Sequence, residues 1–158
     1  MDAARDVTIV AGPQLSADQL FEFYERNHIC EVGFGKELAA RVLDQSSLIV
    51  AALEGDRLVG IARAMFDGLS AAVMELSLDL ALQGGPTRYG NGSLVEADSS
   101  GVGRRMGERF LRELRAMGAT FIQADIVEEV EVPFYESLGF VHNCPMRACC
   151  IDERPYVR

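Results

Sequence analysis

No apolar run in this 158-residue sequence is long enough to span a bilayer, and the first residues lack the apolar core of a signal peptide. We therefore expect no membrane association and a cytoplasmic location. The two histidines, His28 and His142, are isolated, and none of the four cysteines forms a Cys-x-x-Cys pair. The sequence thus predicts reduced thiols and no metal site.

The chain also has too few basic residues to offset its acidic ones. A net charge of −9 gives little electrostatic attraction for nucleic acid, so we expect no nucleic-acid partner. This charge suits a cationic amine substrate, although an acidic balance also simply favours solubility. Apolar residues make up 49% of the 158 positions, which predicts a single globular domain with a substantial core.

A glycine-rich turn, Gly101-Val102-Gly103-Arg104-Arg105, opens directly onto a helical pattern of apolar residues that ends near Met117. The N–H groups at the start of a helix favour a bound anion, and glycine leaves them accessible. The two arginines in the first turn are cations at the positive end of the helix dipole. They cost roughly 0.3–1 kcal/mol unless an anion is bound nearby. The pattern predicts a phosphate or pyrophosphate site, and the alternative is a solvated turn.

Residues 132–140 read Val-Pro-Phe-Tyr-Glu-Ser-Leu-Gly-Phe and follow a predicted strand. They resemble the Phe-Tyr-Glu-x-Leu-Gly-Phe signature of the GNAT N-acetyltransferase superfamily. In that family a glycine loop and its helix hold the pyrophosphate of acetyl-CoA, and the second signature lies one strand further on. Both features occur here in that order. A nucleotide-binding P-loop is a weaker interpretation, because Arg104-Arg105 follows the glycine where Gly-Lys-Ser/Thr is required.

The resemblance implies a single α/β (α+β) domain over residues 1–158. Its mixed, mostly antiparallel sheet would have six to seven strands, with splayed middle strands and about four flanking helices. Ser16 and Gln19 predict a capping box at the first helix, and Pro133 predicts the start of a short late helix. Strand patterns cover residues 7–10, 47–53, 58–65, 72–80 and 120–127, with closing strands at 140–143 and 146–151.

The family's pyrophosphate motif, Gln/Arg-x-x-Gly-x-Gly/Ala, is altered in this chain. Counting back from Gly101 places Asp98 at the Gln/Arg position, where a carboxylate would repel pyrophosphate. We therefore align Gln83-Gly84 with the start of the motif and interpret residues 85–100 as a loop insertion. We expect this loop to be mobile, to fold outward and to preserve the anion site. The alternative is a remodelled loop.

The resemblance also assigns roles to individual residues. Pantetheine would pair with the bulged strand before the loop, at Leu76, Ser77 and Leu78. The cofactor-binding residues are then Leu76, Ser77, Leu78, Gln83, Gly84, Gly101, Val102, Gly103, Arg104 and Arg105. Tyr135 would protonate the leaving thiolate, and the backbone N–H of Leu78 would polarise the acyl oxygen.

The acceptor side of the site is less clearly marked. Glu75 is a candidate general base, although a carboxylate in mid-strand could equally face solvent. Phe34, His28 and Glu31 are candidates for the acceptor wall, with ordinary packing or solvation as the alternative.

Together these features predict an acyl-CoA-dependent N-acetyltransferase that uses acetyl-CoA, or another acyl-CoA, as co-substrate and no metal. It would acetylate a primary amine of a small molecule by direct transfer in a ternary complex. The alternative is a catalytically inactive GNAT-fold binding or regulatory module with a remodelled CoA loop. A homodimer is also compatible with the resemblance.

Overall fold

A computed structural model describes residues 5–30, 33–143 and 145–154. Within those ranges the chain forms a five-stranded sheet, five α-helices and a short 3-10 turn at Glu129–Glu131. The strands are β1 (Thr8–Ala11), β2 (Leu48–Glu54), β3 (Arg57–Phe66), β4 (Ser70–Leu78) and β5 (Phe121–Ala124). The helices are α1 (Ala17–Arg26), α2 (Lys36–Gln45), α3 (Leu80–Gln83), α4 (Val102–Ala116) and α5 (Val132–Ser137).

The sheet is open, and its strands lie side by side in chain order, β1-β2-β3-β4-β5. The first three pairings are antiparallel and the last, between β4 and β5, is parallel. The mixed, mostly antiparallel sheet is therefore confirmed. The expected count of six to seven strands is too high for the described residues, because neither 140–143 nor 146–151 forms a strand. Val141 and Ile151 are 87% and 90% exposed, so strand formation there would gain no burial.

Alternate side chains of the sheet face two different helix layers. Ala51 and Ile61 pack with the buried faces of α1 and α2. Val50 and Ala62 face the other way and pack with α4 and α5, whose buried residues include Phe110. The two helix layers therefore enclose a sheet whose central strands are buried on both sides.

The helix starts follow their sequence signals. Ser16 and Gln19 form the predicted capping box, in which each side chain bonds the other residue's backbone N–H. The short helix α5 carries Pro133 in its first turn, where a missing N–H costs nothing. Both predictions are confirmed. Across the described residues, no helix combines the length and the apolar character needed to cross a membrane.

Strand β4 is irregular where the predicted site begins. Arg63 pairs with Glu75 and Ala64 pairs with Val73, which leaves Met74 as an extra residue in β4. A bulge of this kind bends the strand and re-aims the side chains that follow. The pairing with β5 extends only from Ser70 to Val73, so residues 74–78 run on beyond the end of β5. Beyond Val73 the two strands are no longer paired, and we call the region beside residues 74–78 the opening.

Candidate active site

Glu75 lies at the centre of a cluster of polar side chains beside this opening. Its Oε1 accepts hydrogen bonds from the Tyr24 hydroxyl at 2.5 Å and from Arg63 Nε at 2.7 Å. Its Oε2 accepts one from the Ser77 hydroxyl at 2.5 Å. The Glu75 side chain is 7% exposed, so its contacts replace most of its hydration. A second donor of Arg63 reaches the Ser46 hydroxyl at 3.2 Å and fixes the guanidinium.

The cluster holds its neighbours in defined protonation states. Burial and the negative charge of Glu75 raise the pKa of Tyr24 above its usual range. Burial and Glu75 also raise the pKa of Cys30 to about 12, so this free thiol stays protonated at neutral pH. Burial by itself would lower the pKa of Arg63, but the charge of Glu75 raises it overall. At neutral pH the cluster therefore contains the Arg63 cation, a neutral Tyr24 hydroxyl and a neutral Cys30 thiol.

Tyr135 lies on α5, in the helix layer on the opposite side of the sheet from Tyr24. Its ring packs against Phe134 and Phe140 at centroid distances of 5.9 and 5.4 Å. Burial raises its pKa above the usual range, and the charges of Glu131 and Glu75 add to this effect. No described residue bonds its hydroxyl, and no side-chain oxygen in the described residues is both buried and unpartnered. The hydroxyl is therefore accessible to solvent.

The N-terminus of α4 does hold an anion, and that anion belongs to the chain itself. The Asp98 carboxylate accepts hydrogen bonds from the N–H of Gly103 at 2.9 Å and of Arg104 at 2.7 Å. The Ser100 hydroxyl accepts the N–H of Val102 at 3.2 Å. The positive end of the helix is therefore neutralised from within. In this conformation these amides do not fit a diphosphate, because their hydrogen bonds are already made.

Residues 85–100, which we call the strap, contain neither helix nor strand, in keeping with a loop. The expectation that they fold outward is wrong. Val95 is fully buried in the core, and the backbone N–H of Glu96 donates to Gln83 Oε1 at 2.9 Å. Gln83 is itself buried, and its Nε2 donates to the carbonyl of Leu78. An apolar anchor and a satisfied buried amide fix the strap against the sheet.

The strap also uses the backbone of β4 that was predicted to face the cofactor. The N–H of Leu78 donates to the carbonyl of Gly92 at 2.8 Å, and the N–H of Gly92 donates to the carbonyl of Asn27 at 2.8 Å. The predicted oxyanion donor therefore already has an acceptor. Leu76 is buried in the core and Ser77 bonds Glu75, as described above.

The structure brings the two halves of the proposed glycine motif together. A Cβ on Gly84 would lie 2.1 Å from the Ser99 hydroxyl oxygen, just before the turn at Gly101. The two arginines point elsewhere. Arg104 forms an exposed ion pair with Glu108, and Arg105 donates to the carbonyl of Val7. Neither guanidinium is directed at the α4 amides.

Of the three residues predicted to form an acceptor wall, Phe34 is the one that the structure places beside the Glu75 cluster. Phe34 packs edge-on against Tyr24 at a centroid distance of 5.5 Å, next to the Glu75 cluster. His28 is exposed and adopts a positive φ of 54° at the end of α1. Glu31 lies outside the described residues. No group of three or more potential metal ligands occurs in the part of the chain that the structure describes.

Sequence reasoning missed Arg63, Tyr24 and Gly92. Arg63 had a visible signal, since it is the one charge in the interior of β3, whose only other charged residue is Arg57 at the start of the strand. Tyr24 gave no such signal, because an aromatic residue on a helix face usually belongs to the core. Sequence reasoning interpreted Asp98 only as a charge that repels pyrophosphate. It overlooked that the same carboxylate can cap α4.

The architecture is that of the GNAT acyl-CoA N-acyltransferase fold. No family model matches the sequence, and no curated protein matches it. Solved structures do. A GNAT-family acetyltransferase from Streptococcus pneumoniae superposes with a TM-score of 0.66 at 23% identity, over 94% of this chain and 99% of the other.

Two further structures extend this likeness. An acetyltransferase from Trypanosoma brucei gives a TM-score of 0.66 at 18% identity, over 93% of this chain and 99% of that chain. AAC(6′)-Iy, in complex with the bisubstrate analogue CoA-S-monomethyl-acetylneamine, superposes with a TM-score of 0.63 at 12% identity. The superposition covers 94% of this chain and 98% of that chain. The GNAT fold predicted from the two sequence signatures is confirmed.

Proposed function

We propose that this protein is an acyl-CoA-dependent N-acetyltransferase that acts on a primary amine of a small molecule. The observation that carries the proposal is the buried Glu75 carboxyl group, which three hydrogen bonds hold on the bulged strand of a GNAT fold. We assign it as the proton acceptor and the Tyr135 hydroxyl as the proton donor for acyl transfer from a thioester to an amine. The AAC(6′)-Iy complex, with its linked CoA and amine, supports both substrate classes.

The hydrogen bonds of Glu75 select the oxygen that accepts the amine's proton. Tyr24 and Arg63 both bond Oε1, whereas Ser77 alone bonds Oε2. A carboxylate oxygen has about two acceptor positions, so Oε1 is saturated and Oε2 keeps one free. We assign Oε2 as the atom that takes the proton, directly or through water. Tyr24 and Arg63 then act as positioning residues.

Tyr135 has the complementary role. The hydroxyl stays protonated throughout the neutral range, and we assign it as the group that donates its proton to the leaving thiolate as the C–S bond breaks. The acyl donor, acetyl-CoA or another acyl-CoA, supplies the acyl group as an activated thioester. Its place would be along Leu76–Leu78 and at the start of α4, where the strap now makes the hydrogen bonds. Donor binding therefore requires the strap to move.

The direct test is calorimetry with acetyl-CoA, supported by thermal denaturation at millimolar ligand. Binding heat and a raised melting temperature are expected, because a ligand that binds only the folded state stabilises it. The absence of both would contradict the proposal. Release of free thiol in the presence of candidate amines then identifies the acceptor, with an amine-free reaction as the control.

A second candidate is a GNAT-fold binding or regulatory module that does not use CoA. The bonds of Asp98 to the α4 amides favour it, because they occupy the donors that a diphosphate would need. It predicts that acetyl-CoA has no effect on wild-type protein or on variants whose strap is weakened. The same titrations therefore separate the two candidates.

A further inference from the structure

The strap contacts several parts of the fold around the opening, in the order of its sequence. The Tyr89 hydroxyl donates to Glu128 at 2.9 Å, in the segment that joins β5 to α5. Gly92 then bonds the end of β4 and the end of α1, as described above. Val95 enters the core, and Asp98 reaches the start of α4. One segment thus connects the β5 side of the opening with its β4 side.

Two of these contacts occupy backbone N–H groups that would donate hydrogen bonds to a bound acyl-CoA. The Asp98 carboxylate uses N–H groups of α4 that would otherwise bind a diphosphate, and the Gly92 carbonyl uses the N–H of Leu78 beside the opening. Each N–H can make one good hydrogen bond, and the second anion would also meet the charge of Asp98. The strap and the acyl donor therefore exclude each other.

The space around Gly92 is too small for a residue with a side chain. A Cβ at this position would lie 2.7 Å from the Asn27 Cβ and 3.0 Å from the Leu78 carbonyl oxygen, and backbone atoms cannot give way cheaply. The strap thus depends on glycine at the point where it bonds β4. This fit, which is independent of charge, allows the strap to be loosened without altering any ionisable group.

We propose that residues 85–100 are an autoinhibitory strap, which closes the acyl-donor site and must withdraw before an acyl-CoA can enter. This inference rests on the proposed transferase function. Asp98 acts as an internal competitor for the diphosphate, and the Gly92 carbonyl competes for the edge of β4. Withdrawal frees both sets of donors together because they belong to one short segment.

The test is titration of acetyl-CoA, by calorimetry, into wild-type protein and three variants. Asp98→Asn removes the competing charge, Gly92→Ala displaces the strap by steric overlap, and Tyr89→Phe removes only its exposed bond to Glu128. We expect acetyl-CoA to bind Asp98→Asn and Gly92→Ala at least tenfold more tightly than wild type, with a smaller gain for Tyr89→Phe. Glu108→Gln is the matched control, since it removes a charge from α4 without touching the strap.

Hydrogen exchange provides a second measurement on the wild-type chain. Peptides from residues 85–100 should exchange faster when acetyl-CoA is added, while the core of α4 stays protected. Tyr89→Phe, whose contact is exposed, keeps the test usable if Gly92→Ala folds poorly.

Each other outcome overturns the inference in a recognisable way. The autoinhibitory role of the strap would be rejected, and the transferase proposal retained, by either of two results. One is that wild type and all variants bind acetyl-CoA with the same affinity, and the other is that acetyl-CoA makes the strap peptides exchange more slowly. No binding to any properly folded variant would overturn both proposals. Equal tightening by Glu108→Gln would show an effect of net charge and would also reject the strap.

Discussion

Arg63 and Glu75 occupy paired positions on β3 and β4, and their side chains meet with 2.7 Å between Nε and Oε1. The side chains are 14% and 7% exposed, so this is a buried ion pair. Its role differs from that of a surface pair, because loss of either partner leaves the other buried without its counter-charge. The first prediction follows from this difference.

Arg63→Met should destabilise the fold by about 3–5 kcal/mol, because it leaves the Glu75 carboxylate buried and uncompensated. Urea denaturation measures the loss. The double variant Arg63→Met/Glu75→Gln should recover part of it, since the neutral amide needs no cation. Arg109→Met, which breaks a half-exposed pair with Glu113, is the control and should cost about 1 kcal/mol or less. Equal losses for the two arginine variants would contradict the prediction.

Asp98→Ala should cost about 0.5–2 kcal/mol of stability, because it removes the cap of α4 and the anion beside Arg104 and Arg105. This loss is independent of any ligand and is measured by denaturation without CoA. Glu108→Ala, which breaks an exposed pair one turn along the helix, should cost less than about 0.5 kcal/mol. If Asp98→Ala left the free energy of unfolding unchanged, the two hydrogen bonds from Asp98 to the α4 amides would contribute nothing to stability.

Tyr135→Phe should lower kcat by about 100-fold or more with unchanged acetyl-CoA affinity, because it removes the proton donor and keeps the ring packing. Thiol release and calorimetry measure the two quantities. Ser137→Ala on the same helix, which removes a hydroxyl bonded to the Phe134 carbonyl, is the control and should leave the rate unchanged. If Tyr135→Phe turned over at the wild-type rate, another group would be the acid.

Stability should decline in alkaline solution. Burial raises the pKa of Cys30 from 9.0 to about 12 in the folded state, so the folded chain keeps a proton that the unfolded chain loses. The contribution of Cys30 to the free energy of unfolding is therefore complete below pH 9 and is lost as the pH rises to about 12. Tyr24 and Tyr135, also raised, add a decline that begins near pH 10. Urea denaturation between pH 7 and 11 measures the slope, which Cys30→Ala should reduce and the exposed control Cys149→Ala should not. A flat profile in the wild type would contradict this.

The fold could be predicted from local sequence patterns because its elements are encoded locally. The capping box at Ser16 and Gln19 and the proline at the start of α5 each specify one helix boundary within a few residues. The fold itself was predicted from the resemblance of residues 101–105 and 132–140 to the GNAT superfamily. The sequence alone also predicted a phosphate or pyrophosphate site at the start of α4, whereas the group bonded there is the Asp98 carboxylate.

Only the tertiary structure decided which anion that is and what surrounds Glu75. Asp98 reaches the α4 amides because the strap turns inward around Val95 and Gly92, and this path depends on contacts with β4 and α1 that are distant in the chain. Tyr24 and Glu75 meet across 51 positions of sequence. Local patterns determine helices and strands, whereas the occupant of a backbone donor is set by competition among every acceptor that folding brings within reach.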